Sequence, residues 1–261
     1  MKLITRIVEK PWGRTDIPSY FHAPDSRIGE IWFEHPQGRK LALMAKYLFT
    51  SERLSIQVHP DNEQAAALGQ PSGKDEMWIV LAADEGAHIG IGLAREVSSV
   101  ELKAAALDGS IEQLMEWRPV KAGDVFYNPA GNIHSLGPGL TILEIQQTLD
   151  LTYRLYDYDR PRELHLEAGL AVSATRPVAA RYAGQFVSGV NRMLVDGPIF
   201  RVLWCCGPCD GVADGPVQIL PVDGTIEVAG EEIAPGECAL VPEGGIPQIP
   251  PGVNTVLFWP L

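Results

Sequence analysis

No apolar stretch of about 20 residues occurs in the chain, so nothing in the sequence is long enough to cross a bilayer as a single helix. The first dozen residues carry Lys2, Arg6, Glu9 and Lys10 where a secretory leader would have an apolar segment, and no signal peptide is expected. Cysteine is scarce: four in 261 residues, three of them crowded at Cys205, Cys206 and Cys209. Cys206-x-x-Cys209 has redox or zinc spacing, but no second pair accompanies it and its flanks read as apolar strand. Buried free thiols are the expected account. With no secreted disulfide framework, the cytoplasm is the expected compartment. Positive charge is short as well, with 21 Lys and Arg against 33 Asp and Glu and a net charge of −12. Neither nucleic acid nor an anionic membrane is therefore an expected partner. An anionic substrate would need a local basic cluster set against the overall field.

Glycine (26) and proline (21) are plentiful, which suits many short strands joined by tight turns. Apolar runs at 28–33, 42–49, 76–81, 87–93, 120–134 and 141–146 read as strands, and five more follow after residue 182. Asp61-x-x-Gln64, Ser98-x-x-Glu101 and Ser110-x-x-Gln113 have the spacing of helix capping boxes. The first predicts a short helix ended by Gly69. The other two predict a helix pair, Val100–Leu107 and Ile111–Trp117, whose expected role is to cover one end of a barrel. Arg162–Ala171 also reads as helical, and the small residues around 174–180 read as a linker. His88, on the polar phase of a strand, and His165, in the helical stretch, read as surface or structural residues.

Chemistry gathers in two places far apart in the sequence. Leu54 to His59 alternates apolar and polar residues, so Gln57 and His59 share one face of a strand. The turn Gly73-Lys74-Asp75-Glu76 then starts the next strand with a carboxylate. Much later, Gly123-x5-Pro129-x-Gly131-x2-His134 supplies a second imidazole in the pattern of the cupin barrel's second motif. Gln57, His59, Glu76 and His134 bring two imidazoles, one carboxylate and one amide oxygen, a ligand set for a divalent metal with an open position. Residues 236–247 repeat the Gly-x5-Pro-x-Gly-x2 spacing, with Pro247 where His134 stood. The expectation is a mainly β chain of two cupin-like jelly-roll barrels. Residues 1–178 would form the metal-binding domain, with a helical insert at about 96–118, and residues 179–261 a smaller domain without ligands.

The segments Gly29-Glu30-x-Trp32, Leu54-Ser55-Ile56-Gln57-Val58-His59-Pro60-Asp61, Gly73-Lys74-x-Glu76-x-Trp78, Pro129-Ala130-Gly131-x-x-His134 and Thr152-Tyr153-Arg154-Leu155-Tyr156-Asp157-Tyr158-Asp159-Arg160 together resemble the type I mannose-6-phosphate isomerases, in particular their short bacterial form. Arg162-Glu163-Leu164-His165-Leu166 also recurs in that family. The resemblance covers residues from about 10 to 170. It implies one zinc ion per chain held by Gln57, His59, Glu76 and His134, with Arg154 as the catalytic arginine and Lys74 as the active-site lysine. It further implies reversible interconversion of mannose 6-phosphate and fructose 6-phosphate. Asp75 departs from the pattern, standing where the family usually has Thr or Pro.

The chemistry of that reaction fits the residue types. Moving a proton between adjacent carbons through an enediol needs a base, a stabiliser for the developing oxyanion, and a grip on the phosphate. Arg154 offers a fixed fork of donors, although an ordinary ion pair with Asp157 or Asp159 is its alternative. Lys74 could assist proton transfer. Lys46 and Arg160 are candidates for the phosphate. Glu144 could be a base or could orient Arg154. Two histidines and a carboxylate also suit an Fe(II) dioxygenase, and a sugar-binding or sensing cupin without turnover is the rival outside enzymes. A monomer and a homodimer are both compatible with the sequence.

Overall fold

A computed structural model describes residues 1–177, 183–186, 189–209, 215–241, 245 and 247–261. The chain opens with β1 (Ile4–Arg14), β2 (Ile28–Glu34), β3 (Leu43–Thr50) and β4 (Ile56–Val58). Helix α1 (Asn62–Ala67) starts at the expected reciprocal Asp61–Gln64 capping box. β5 (Glu76–Ala83) and β6 (His88–Leu93) lead into α2 (Ser99–Asp108) and α3 (Ile111–Leu114). β7 (Met115–Pro119), β8 (Asp124–Asn128), β9 (His134–Leu136), β10 (Leu140–Gln147), β11 (Tyr153–Tyr156) and α4 (Leu166–Val172) come next. The remainder is β12 (Ala183–Gln185), β13 (Arg192–Asp196), β14 (Phe200–Cys206), β15 (Val217–Pro221), β16 (Ile226–Val228), β17 (Glu231–Ile233), β18 (Ala239–Val241) and β19 (Asn254–Pro260). Among the described residues no helix is long and apolar enough to cross a membrane.

Period-two alternation decides how these strands stack. The seven-stranded sheet runs β1-β2-β3-β10-β5-β8-β12 and is apolar on both faces. Leu48, Trp78, Val80, Phe126 and Ile142 point one way and pack with Ile89, Ile91 and Leu136 of the five-stranded sheet β11-β4-β9-β6-β7. Their alternates Tyr47, Phe49, Met77, Ile79, Tyr127, Leu143 and Ile145 point the other way. They pack with Phe200, Val202, Trp204, Val256 and Phe258 of the C-terminal sheet β13-β14-β19-β15-β18. The large sheet is thus the middle layer of the molecule. Helices α2 and α4 cover the outer face of the first five-stranded sheet, with Leu102 and Ala106 against Ile56, Val58 and Leu155. The outer face of the C-terminal sheet packs on the β16–β17 hairpin. This is the mainly β, cupin-like architecture expected from the sequence.

Four local expectations are corrected. The second helix of the pair stops at Leu114 rather than at Trp117. From Met115 the backbone pairs with β6, Leu93 opposite Met115 and Gly90 opposite Trp117, and the Trp117 indole donates to the Glu112 carbonyl at 2.8 Å. Ser110 is itself helical and makes no side-chain cap. Ser98 does cap α2, but the Glu101 carboxylate is taken by Arg95 instead of closing the box. The helix expected from Arg162 begins only at Leu166. Residues up to His165 stay out of the helix, held by His165 N donating to the Arg154 carbonyl and Arg154 N donating back to the His165 ring. None of the four cysteines is in a disulfide; Cys205 and Cys238 are buried, whereas Cys206 and Cys209 are half-buried. Residues 178–180 of the expected linker, and 242–244 and 246 of the repeated motif, lie outside the described residues.

Candidate metal centre and cavity

Two strand beginnings and one strand end converge between the two facing sheets. Gln57 is in β4 and pairs directly with His134, the first residue of β9. His59 follows β4, and Glu76 is the first residue of β5. Tight turns make this possible. A Cβ on Gly73 would lie 2.4 Å from the Asp61 carbonyl carbon, so only glycine lets the Lys74–Glu76 segment press against the start of α1. Gly131 takes φ 78°, a region that glycine enters freely, and its N–H donates to the His59 carbonyl at 2.8 Å.

His59, Glu76 and His134 are each buried, and their ligand atoms all lie within 4.8 Å of one another. The Glu76 carboxylate sits between the imidazoles, with Oε1 3.2 Å from His59 Nε2 and Oε2 3.5 Å from His134 Nε2. The opposite ring nitrogens face carbonyl oxygens: His59 Nδ1 is 3.0 Å from Leu151 O and His134 Nδ1 is 2.9 Å from Asn132 O. Protons held there leave both Nε2 lone pairs facing the carboxylate, the arrangement in which histidines ligate metals. The Gln57 amide nitrogen is 3.2 Å from His134 Nε2, and its oxygen accepts from Ser55 Oγ at 3.0 Å. A half-turn of the amide exchanges those two atoms.

The electrostatics favour the ligating protonation states. Burial and the nearby Lys74 ammonium push the His59 pKa down to about 3, against a smaller opposing pull from Glu76. Burial also lowers that of His134. At Glu76 burial acts upward, but Lys74 and the two histidines outweigh it and hold the carboxyl well below its usual range. The group is therefore two neutral imidazoles and one carboxylate at neutral pH, and it could hold a metal ion.

In the metal-free protein His59 has a folded pKa of about 3 against 6.5 when exposed, so the unfolded chain binds its proton more readily. Its effect is neutral above about pH 6.5 and destabilises progressively as pH falls toward about 3. Glu76, depressed as a carboxylate, loses its stabilising contribution on acidification too. Thermal melts of the metal-free protein should therefore show Tm falling steadily from about pH 7 to about pH 4. A flat Tm across that range contradicts a buried neutral His59.

The centre opens into a cavity of about 160 Å³ lined by Gln57, Lys74, Glu76 and His134 at one end. Lys74 Nζ stands 3.0 Å from Glu76 Oε1 and 3.3 Å from His59 Nε2. Lys46 and Glu144, opposite each other on β3 and β10, form a buried ion pair at 2.6 Å, and the Trp78 indole donates to the other Glu144 oxygen at 2.8 Å. Burial raises the Glu144 pKa; Lys46 opposes the rise and Glu76 adds to it. Burial pulls Lys46 down, but Glu144, Glu30 and Glu76 outweigh it and keep the ammonium charged.

Arg154 and Arg162 also line the cavity. Among the described residues Arg154 forms no ion pair; its guanidinium only donates to the Glu163 carbonyl at 3.4 Å. Asp157, its expected competitor, is buried and holds Arg162 through two 2.6 Å bonds instead. Arg160 is not among the residues lining the cavity. Its donors are taken by Asp157 at 3.2 Å, Glu52 at 3.4 Å and the Arg53 carbonyl at 2.6 Å. Sequence reasoning passed over Arg162, since only the fold shows which arginine Asp157 turns inward. It also passed over Asn128, whose Nδ2 is 3.3 Å from Glu76 Oε2 and 3.1 Å from His134 Nδ1. Its position just before the Pro129 turn was the available signal.

No protein-family model matches the chain. Over 189 residues it is 39% identical to the mannose-6-phosphate isomerase of Streptococcus mutans, covering 67% of this chain and 60% of that protein. Over 168 residues it is 34% identical to mannose-6-phosphate isomerase ManA of Bacillus subtilis, covering 59% of this chain and 53% of that one. The chain thus spans between about half and three-fifths of the length of these curated relatives. The crystal structure of a Bacillus subtilis mannose 6-phosphate isomerase superposes with a TM-score of 0.84 at 24% identity, covering 99% of this chain and 98% of that chain. That likeness concerns the fold.

Proposed function

The chain belongs to the mannose-6-phosphate isomerase family, and on that footing we propose that it is a zinc-dependent aldose–ketose isomerase interconverting mannose 6-phosphate and fructose 6-phosphate. One observation carries the reading: the buried His59–Glu76–His134 group lies at the end of a cavity that also exposes an arginine without a carboxylate partner among the described residues. Gln57, His59, Glu76 and His134 would hold the zinc, and the donor set fits it in kind, with neutral imidazoles and an ionised carboxylate. Zinc bound there would polarise a sugar oxygen.

The chain's own residues supply the rest. Glu144, whose carboxyl burial makes more basic, is assigned the proton that moves between C2 and C1 of the open-chain sugar through the enediol. Lys74 holds Glu76 in place and offers an ammonium donor to the developing oxyanion. Arg154 presents its free donors to the substrate, and Arg162, kept in orientation by Asp157, joins it in gripping the phosphate. Lys46 keeps Glu144 ionised until the sugar enters. The same reading keeps the metal site within residues 1–178, leaves residues 179–261 without ligands, and places a monomer or homodimer in the cytoplasm.

A coupled assay for fructose 6-phosphate formed from mannose 6-phosphate tests the reading. Oxygen uptake with iron-loaded protein and no isomerisation would favour the dioxygenase, and retained metal with no turnover would favour a sugar-binding cupin. Arg162→Gln is expected to raise KM for the phosphosugar by roughly 10- to 100-fold with a smaller change in kcat, the scale of one charge-assisted contact. An unchanged KM would remove Arg162 from the phosphate site.

A further inference from the structure

We propose that Asp75 is a positioning residue for the metal centre: its buried carboxylate fastens the turn before His134 to the strand end carrying Lys74 and Glu76, and links both to the C-terminal sheet through Tyr127. The inference rests on the metal-site reading above and not on the identity of the sugar.

Alternation places Asp75 on the opposite side of the chain from its two neighbours. Lys74 and Glu76 face the cavity, whereas Asp75 lies on the side of Met77 and Tyr127, which belong to the core shared with the C-terminal sheet. A carboxylate is costly there, and burial raises its pKa against the opposing hydrogen bonds. Two hydrogen bonds hold the carboxylate in place. Tyr127 OH donates to Oδ2, and Ala130 N donates to Oδ1 at 3.0 Å. The backbone of Asp75 is fixed as well, its N–H donating to Gln147 Oε1 at 3.0 Å and its carbonyl accepting from Gln147 N at 3.1 Å.

The bond to Ala130 reaches a ligand-bearing segment. Ala130 belongs to the turn that delivers His134, and the next residue, Gly131, donates to the His59 carbonyl. One carboxylate therefore sits next to Glu76 in sequence, one bond from the His134 turn, and one residue further from His59. Tyr127 precedes Asn128, the residue that touches both Glu76 and His134. On its other side the Tyr127 ring lies against Phe200, with centroids 5.5 Å apart. Phe200 is fully buried and opens β14. The ligand-poor C-terminal part thereby acts as a backstop for the centre, fixing the spacing of groups that its own strands do not supply.

The test measures zinc affinity by competition with a chromogenic chelator, with the Tm of the metal-free protein as a separate control for folding. Asp75→Ala removes both acceptors and is expected to weaken zinc binding by about 10- to 100-fold, the usual effect of losing a group that orients ligands. Asp75→Asn keeps an acceptor for Ala130 N and a polar partner for Tyr127, and should recover most of that loss. Tyr127→Phe should fall between them, and Phe200→Leu should weaken zinc binding from beyond the ligand shell. Wild-type affinity in Asp75→Ala, whatever its Tm, overturns the proposal; if that variant does not fold, wild-type affinity in Tyr127→Phe overturns it. A loss in Asp75→Asn as large as in Asp75→Ala also overturns it. Failure of the wild-type protein to bind zinc would instead overturn the metal-site reading beneath it.

Discussion

Replacing Arg154 by alanine is expected to lower kcat for mannose 6-phosphate by about 10²- to 10³-fold, roughly 3–4 kcal/mol, while bound metal and Tm remain at wild-type levels. The expectation follows from pairing. Lys46 is engaged by Glu144, Lys74 by Glu76 and Arg162 by Asp157, so these cations are already partly neutralised before substrate arrives. Among the described residues the Arg154 guanidinium is held only by a long contact to a carbonyl, and its donors become useful when negative charge develops in front of them. Because it touches neither His59, Glu76 nor His134, its loss should leave the metal in place. Arg154→Lys should rescue little, since a point charge does not reproduce a planar fork. Steady-state kinetics with metal analysis of the same preparation checks this. A variant with wild-type kcat would assign Arg154 to structure.

Substitution of His134 by alanine is expected to act earlier, at the metal itself. Its Nε2 is one of the lone pairs facing Glu76, and its other nitrogen is fixed on the Asn132 carbonyl. Removing the ring should abolish stoichiometric metal at micromolar zinc and reduce isomerisation by at least about 10³-fold, since several kcal/mol of charge stabilisation leave with the ion. The cost in fold stability should be smaller. The ring is neutral at neutral pH, and its removal leaves a void and an unmatched Glu76 rather than an unpaired cation. Metal content and Tm of the variant, measured together, separate the two effects. Full metal occupancy in His134→Ala would place the ion elsewhere.

What the sequence made legible was whatever depends on alternation and on turn residues. The shared face of Gln57 and His59, the carboxylate at the start of β5 and the Pro129–Gly131 turn were all readable, and in the fold they meet. The Asp61 cap was readable for the same reason, since its partner Gln64 is three residues away. What required long-range pairing was not readable. Met115–Trp117 reads as the end of a helix, but β6 offers it a partner and the helix ends early. Arg160 and Arg162 are near equivalents in sequence; the buried Asp157 carboxylate and the Arg53 carbonyl decide which one enters the cavity. Asp75 could be seen as an unusual charge beside a ligand. That it faces away, toward Tyr127 and the C-terminal sheet, depends on a layer of the fold built more than a hundred residues later.

The most direct test combines metal analysis of the purified protein with the coupled mannose 6-phosphate assay before chelation, after it, and after zinc is returned. The account predicts about one zinc per chain, conversion to fructose 6-phosphate that disappears with the metal, and recovery on readdition. Turnover that persists without metal, or zinc-loaded protein that never converts the sugar, would contradict it.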